Sequence, residues 1–134
     1  NIKPFFNKPL IAYSIETARK SGLFDKIVVS TDDPIIAKIA NKYGAETPFV
    51  RPNNLSDDYT STQDVVDHCL DFYSKKNIFF DYECTIYATA PFLQNKYLKE
   101  GLEKLKCSDA ANAFSATSMP YPIQRTFKID KNGR

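Results

Sequence analysis

Hydrophobic positions along the chain fall into short β-branched runs and helical stripes that alternate. Ile11, Ile15 and Ala18 share one face of a helix predicted over residues 9–21, with Pro9 suited to its first turn and Gly22 supplying a left-handed stop. Residues 26–31, Lys-Ile-Val-Val-Ser-Thr, predict a short buried strand. Asp33-Pro34 opens a second helix whose stripe is Ile35, Ile36, Ile39 and Ala40, closed by Gly44. Residues 46–50 predict another short strand, ended by Arg51-Pro52.

A polar loop without apolar periodicity follows over residues 53–61. The next helix is predicted from Thr62, with a capping box running from Thr60 to Gln63 and an apolar face of Val65, Val66, Cys69, Leu70 and Tyr73. Residues 82–87 alternate and predict a central strand. Leu98, Leu102 and Leu105 mark a further helix, residues 111–116 a further strand, and residues 126–129 one more that runs into the turn Lys131-Asn132-Gly133.

Strands separated by helices of about three turns imply an α/β fold: three layers, a mostly parallel sheet with helices on both faces. Repeats, low-complexity stretches and internal linkers are missing, so residues 1–134 are expected to form a single domain. The opening on Asn1 without Met, and the stop just after an Asn-Gly turn, suggest a domain cut at both ends.

Composition narrows the class. Hydrophobic residues at 43% and charged residues at 25% describe a globular protein rather than a disordered tail. No apolar run reaches the roughly 20 residues that cross a bilayer, so no membrane partner is expected. Eighteen basic and sixteen acidic residues leave +2 with the signs interspersed, unlike the basic stripe of a nucleic-acid binder. Cys69, Cys84 and Cys107 lack the short spacings of zinc or redox motifs and favour a reducing, cytoplasmic setting.

Ligands of open α/β sheets bind beyond the carboxyl ends of strands. Residues 30–33, 51–62, 88–93 and 118–125 are therefore expected to converge on one crevice. Asp33 reads as a helix N-cap, while Asp32 beside it has no such explanation. Arg51, Thr60, Ser61 and Thr62 offer short donors at a helix start, able to hold an anion or the edge of a base, although a capped loop explains the same letters. Thr89-Ala90-Pro91 ends the predicted central strand with small residues that let a ligand approach the backbone. His68 falls within a helix and reads as structural. No Cys/His pairing and no Ser-His-Asp arrangement is recognisable.

Together the segments resemble a known family. Asn1 with residues 8–15, then Val29-Ser30-Thr31-Asp32-Asp33, Arg51-Pro52 with Leu55-Ser56-Asp57-Asp58, and Ala88-Thr89-Ala90-Pro91-Phe92-Leu93, occur in the order found in the acylneuraminate cytidylyltransferases. Residues 120–125 resemble the branch acting on pseudaminic acid. The resemblance implies a nucleotide-diphospho-sugar transferase fold and a reaction in which CTP and a nine-carbon acidic sugar give the CMP-sugar and pyrophosphate, supported by Mg²⁺.

Carried over by position, Asn1, Arg51, Thr60, Ser61, Thr62, Thr89 and Ala90 fall on the nucleotide side. Tyr87, Gln124 and Arg125 fall on the sugar side, and Tyr87 departs from the Gln common in sialic acid enzymes. The resemblance places the Gly- and Lys-rich triphosphate loop and the carboxylates that hold Mg²⁺ outside these residues, so no catalytic residue and no metal ligand is assigned within the chain, and the chain alone is expected not to catalyse. It also implies a homodimer. The alternatives are activation of an eight-carbon keto-deoxy sugar, and a non-catalytic receiver-like module using Asp32 and Asp33.

Overall fold

The computed structural model describes residues 1–118, which places the predicted strand at 126–129 outside the described residues. The chain divides into two compact units, Asn1–Lys99 and Glu100–Arg134. The fold is α/β. Its first unit opens on a two-stranded antiparallel hairpin, β1 (Pro4–Phe5) and β2 (Lys8–Pro9), followed by α1 (Leu10–Ser21), α2 (Pro34–Tyr43) and α3 (Thr62–Ser74). The helix α4 (Asn95–Lys106) runs from the end of the first unit into the second. Residues 111–116, predicted as a strand, are exposed and form no ladder among the described residues.

α1 starts one residue later than its pattern predicts, with Pro9 at the N-cap and no capping side chain. The residues that lead into the hairpin supply what a cap would. The Leu10 and Ile11 amides donate to the carbonyls of Lys3 (3.0 Å) and Asn1 (2.9 Å), satisfying donors that a helix start leaves open. α2 follows its sequence signals closely. Asp33 accepts from the amides of Ile35 and Ile36, Pro34 occupies the first turn, and Gly44 ends the helix at φ 97°.

Ile11 and Ile15 of α1 pack with Ala40 and Ala45 to form the core, flanked by Ile27, Val29, Ile36, Ile39 and Ala88. α1 thus buries its stripe against the segment at 26–31, and α2 packs Ile36, Ile39 and Ala40 there. Ile35, predicted in the same stripe, instead stands 60% exposed in the first turn of α2.

That segment joins residues 46–51 by a parallel bridge between Val28 and Glu46. Glu46 N donates to Ile27 O (2.7 Å) and Val29 N to Glu46 O (2.9 Å). A regular parallel ladder would take its next donors from residues 48 and 50. Pro48 has no N–H to give, and the pairing resumes one residue late, with Arg51 N donating to Thr31 O at 3.0 Å.

The expected multi-stranded sheet is not formed by the described residues, whose pairings are this bridge and the β1–β2 hairpin. Residues 82–87 carry the alternation of a strand but form no ladder among the described residues, and β-propensity becomes a strand only where a neighbour offers its backbone.

Candidate functional site

A groove of about 440 Å³ opens in the first unit between residues 26–32 and 84–88, over a floor made by Ile11, Ser14, Ile15 and Ala18 of α1. Asp32, Arg51, Thr60, Ser61 and Thr62 give it a polar side, and Asn1 also lines it. The loop after the first strand run, the loop before α3 and the segment at Tyr87 therefore do meet.

The slip after Pro48 aims one of these groups. Because side chains alternate in an extended segment, a one-residue shift puts Arg51 where Val50 would have stood, and leaves Val50 75% exposed. The Arg51 side chain is then held twice. Its Nε–H donates to Ser56 Oγ at 3.2 Å, and Nη2 lies 3.6 Å from Asp32 Oδ1. Ser56 in turn donates to Pro52 O at 2.9 Å, within the turn around the 3₁₀ segment Asn53–Leu55.

The approach to α3 is ordered by a carboxylate. Asp57 Oδ1 accepts from the Thr60 hydroxyl (2.8 Å) and from the amides of Tyr59 (3.0 Å) and Thr60 (2.7 Å). These bonds, the Thr60 hydroxyl first, hold its pKa below the ordinary value. Since Thr60 is engaged there, the capping box forms one residue later than the sequence predicts. Ser61 Oγ accepts from Asp64 N, and the Asp64 carboxylate accepts from Ser61 N.

The opposite wall is fastened to α1. Ser14 Oγ donates to Tyr87 O at 2.9 Å, and Thr17 Oγ1 to Leu93 O at 3.3 Å. The Tyr87 and Thr62 hydroxyls come within 3.3 Å of one another. Thr89 and Ala90 do not line the groove and stand in the turn beyond it, where Ala90 N donates to Tyr87 O. Gln124 and Arg125 lie outside the described residues.

Sequence reasoning gave no role to Ser14, Thr17 or Ser56, because their roles depend on partners that local spacing does not reveal. It did single out residues 30–33. There the Ser30 hydroxyl is buried, lines the groove and lacks a hydrogen-bond partner among the described residues, a spare polar group for a ligand. His68 packs its ring edge-on to Phe49 at 4.8 Å, away from the groove lining.

The donor set does not suit a divalent metal. Asp33 is spent on the α2 cap and Asp32 faces Arg51. Among the described residues no three His, Cys, Asp or Glu side chains cluster as ligands. Among the same residues no helix is long and apolar enough to cross a membrane.

The family model described as "Cytidylyltransferase" matches residues 1–128. Pseudaminic acid cytidylyltransferase of Campylobacter jejuni is 47% identical over 134 residues, covering 100% of this chain and 58% of the relative. CMP-N,N'-diacetyllegionaminic acid synthase of Legionella pneumophila is 34% identical over 106 residues, covering 77% of this chain and 44% of its own. N-acylneuraminate cytidylyltransferase of Escherichia coli is 34% identical over 115 residues, covering 80% of this chain and 26% of its own. The chain thus spans little more than half the length of the most similar of these three, and less of the others.

Proposed function

The chain belongs to the cytidylyltransferase family, and on that premise we propose that the protein joins CTP to a nine-carbon acidic sugar, pseudaminic acid, to give the CMP-sugar and pyrophosphate. In this reaction the anomeric hydroxyl of the sugar attacks the α-phosphorus of CTP, and pyrophosphate leaves. The observation that carries the reading is the convergence of Asn1, Arg51 and Thr60-Ser61-Thr62 on one groove, in a chain 47% identical to a pseudaminic acid cytidylyltransferase. A non-catalytic receiver-like module has no support among these relatives.

Arg51, the α3 start and the Ser30 hydroxyl take the base and ribose in this reading, since fixed short donors suit a neutral base edge. The Asp32 carboxylate beside Arg51 offsets its charge, which favours a carbonyl over a phosphate as its acceptor. Tyr87 faces the sugar. Thr89 and Ala90 belong to the nucleotide side only through the adjoining turn. Gln124 and Arg125 complete the sugar side.

The full protein adopts the three-layer nucleotide-diphospho-sugar transferase fold and acts as a homodimer. Mg²⁺ supplies charge neutralisation at the triphosphate when bound. The described residues do not fit it, and none of them is assigned a step through the metal.

Titration of CTP into the wild-type protein and Arg51→Ala tests the placement of the nucleotide. Affinity for CTP falls about tenfold or more in the variant, the loss of a charged hydrogen-bonding group, while affinity for the sugar changes less. Equal CTP affinity in the two proteins removes Arg51 from the site.

A further inference from the structure

We infer that Asp32 and Ser56 are positioning residues that aim the Arg51 guanidinium at the nucleotide, an assignment that rests on the groove being the CTP site. Asp33 has a complete explanation as the α2 cap, whereas Asp32, its neighbour, caps nothing. Among the described residues its one ion pair is with Arg51, at 3.6 Å from Nη2.

The geometry ties Arg51 at three points. Its amide is fixed to Thr31 O, its Nε–H to Ser56 Oγ, and its Nη2 lies beside Asp32. Ser56 commits its own proton to Pro52 O, so its oxygen faces the guanidinium purely as an acceptor. Nη1 has no hydrogen-bond partner among the described residues, and Arg51 lines the groove. Two of the three nitrogens are thus held, and the third is left for a ligand. A long side chain restrained before the ligand arrives loses less rotational freedom on binding, which is how preorganisation raises affinity. Asp32 and Ser56 touch Arg51 rather than the nucleotide in this arrangement.

The test has two arms on the intact protein. In the first, the Arg51 Nε–H signal is followed by NMR in ¹⁵N-labelled wild type, Ser56→Ala and Ser56→Thr, without nucleotide. Slow solvent exchange in wild type and in the Thr variant, lost in the Ala variant, is expected. An Nε–H that exchanges equally fast in all three overturns the clamp. In the second, CTP affinity is measured for Asp32→Asn and Ser56→Ala, alone and on Arg51→Ala, with thermal midpoints to verify folding. Each single variant weakens CTP about fivefold, one hydrogen bond's worth, and adds nothing once Arg51 is gone. A loss of the same size on Arg51→Ala overturns the positioning role, because it means direct contact. If Arg51→Ala itself leaves CTP affinity intact while the Nε–H arm behaves as expected, the nucleotide assignment of the groove has failed and the positioning role falls with it, although the clamp is real.

Discussion

The hydroxyls of Thr62 and Tyr87 lie 3.3 Å apart although twenty-five residues separate them, so the start of α3 and the segment after residue 82 close on the same groove. Tyr87 is also held at its carbonyl by Ser14, which fixes the backbone while the residue stays 65% exposed. A side chain so placed can read a ligand without carrying the fold. Tyr87→Gln is expected to cost less than about 1 kcal/mol of stability and to raise turnover of sialic acid relative to pseudaminic acid. The ratio of kcat/KM for the two sugars checks this, and an unchanged ratio takes Tyr87 off the sugar side.

Phe6 sits at the turn of the β1–β2 hairpin with φ 53°, the sign that tight hairpin loops take most readily with glycine. The residue is 86% exposed, so little packing repays the strain, apart from an edge contact of its ring with Phe5 at 4.8 Å. Phe6→Gly is expected to stabilise the protein by about 0.5–1 kcal/mol. A urea midpoint that moves down instead shows that the ring contact outweighs the backbone.

Gly44 presents the reverse case. At φ 97° it ends α2, and a Cβ there would lie 2.8 Å from Arg19 Cδ, in the side chain whose Nη1 donates to Tyr43 O. Gly44→Ala combines a disfavoured backbone with displacement of that arginine, and is expected to cost about 1–2 kcal/mol. Thermal unfolding reads the loss, and an unshifted midpoint contradicts it.

These contrasts show where local letters suffice. Asp33, Pro34 and Gly44 cap α2 within a few residues, and their roles were legible without the fold. The box before α3 was legible in kind but not in frame, because Thr60-Ser61-Thr62-Gln63-Asp64 offers two overlapping settings. Asp57 decides between them by taking the Thr60 hydroxyl. Pro48 announces a broken ladder, yet the late pairing of Arg51 depends on Thr31, twenty residues earlier in a different run. Asn1 and Lys3 act on α1 through backbone carbonyls, which no side-chain pattern encodes. The rule that strand ends gather ligands pointed to residues 30–33, 51–62 and 88–93; Ser30, Asp32, Arg51, Thr60, Ser61 and Thr62 do line the groove, whereas of the last segment only Ala88 reaches it.

Acid should loosen the first unit through two carboxyls. Glu16 is held below its ordinary pKa, first by the hydrogen bond from Lys8 at 2.6 Å and further by the charges of Lys8 and Lys20, against an opposing contribution from burial. Asp57 is held down by Thr60 and the neighbouring amides. A group whose folded pKa is depressed contributes stability that is whole above its unfolded value and is lost as pH falls through the folded one. The window therefore opens at about pH 4 and extends downward. Urea midpoints of wild type are expected to fall between pH 6 and pH 3, and Glu16→Gln to fall less. An identical drop in the two proteins removes the Lys8–Glu16 pair as a source of acid sensitivity.

The proposed activity is tested most directly by pyrophosphate release. The intact protein, supplied with CTP, Mg²⁺ and pseudaminic acid, is predicted to release pyrophosphate in step with CMP-sugar formation, and more slowly with sialic acid in its place. No pyrophosphate above background with either sugar contradicts the proposed reaction.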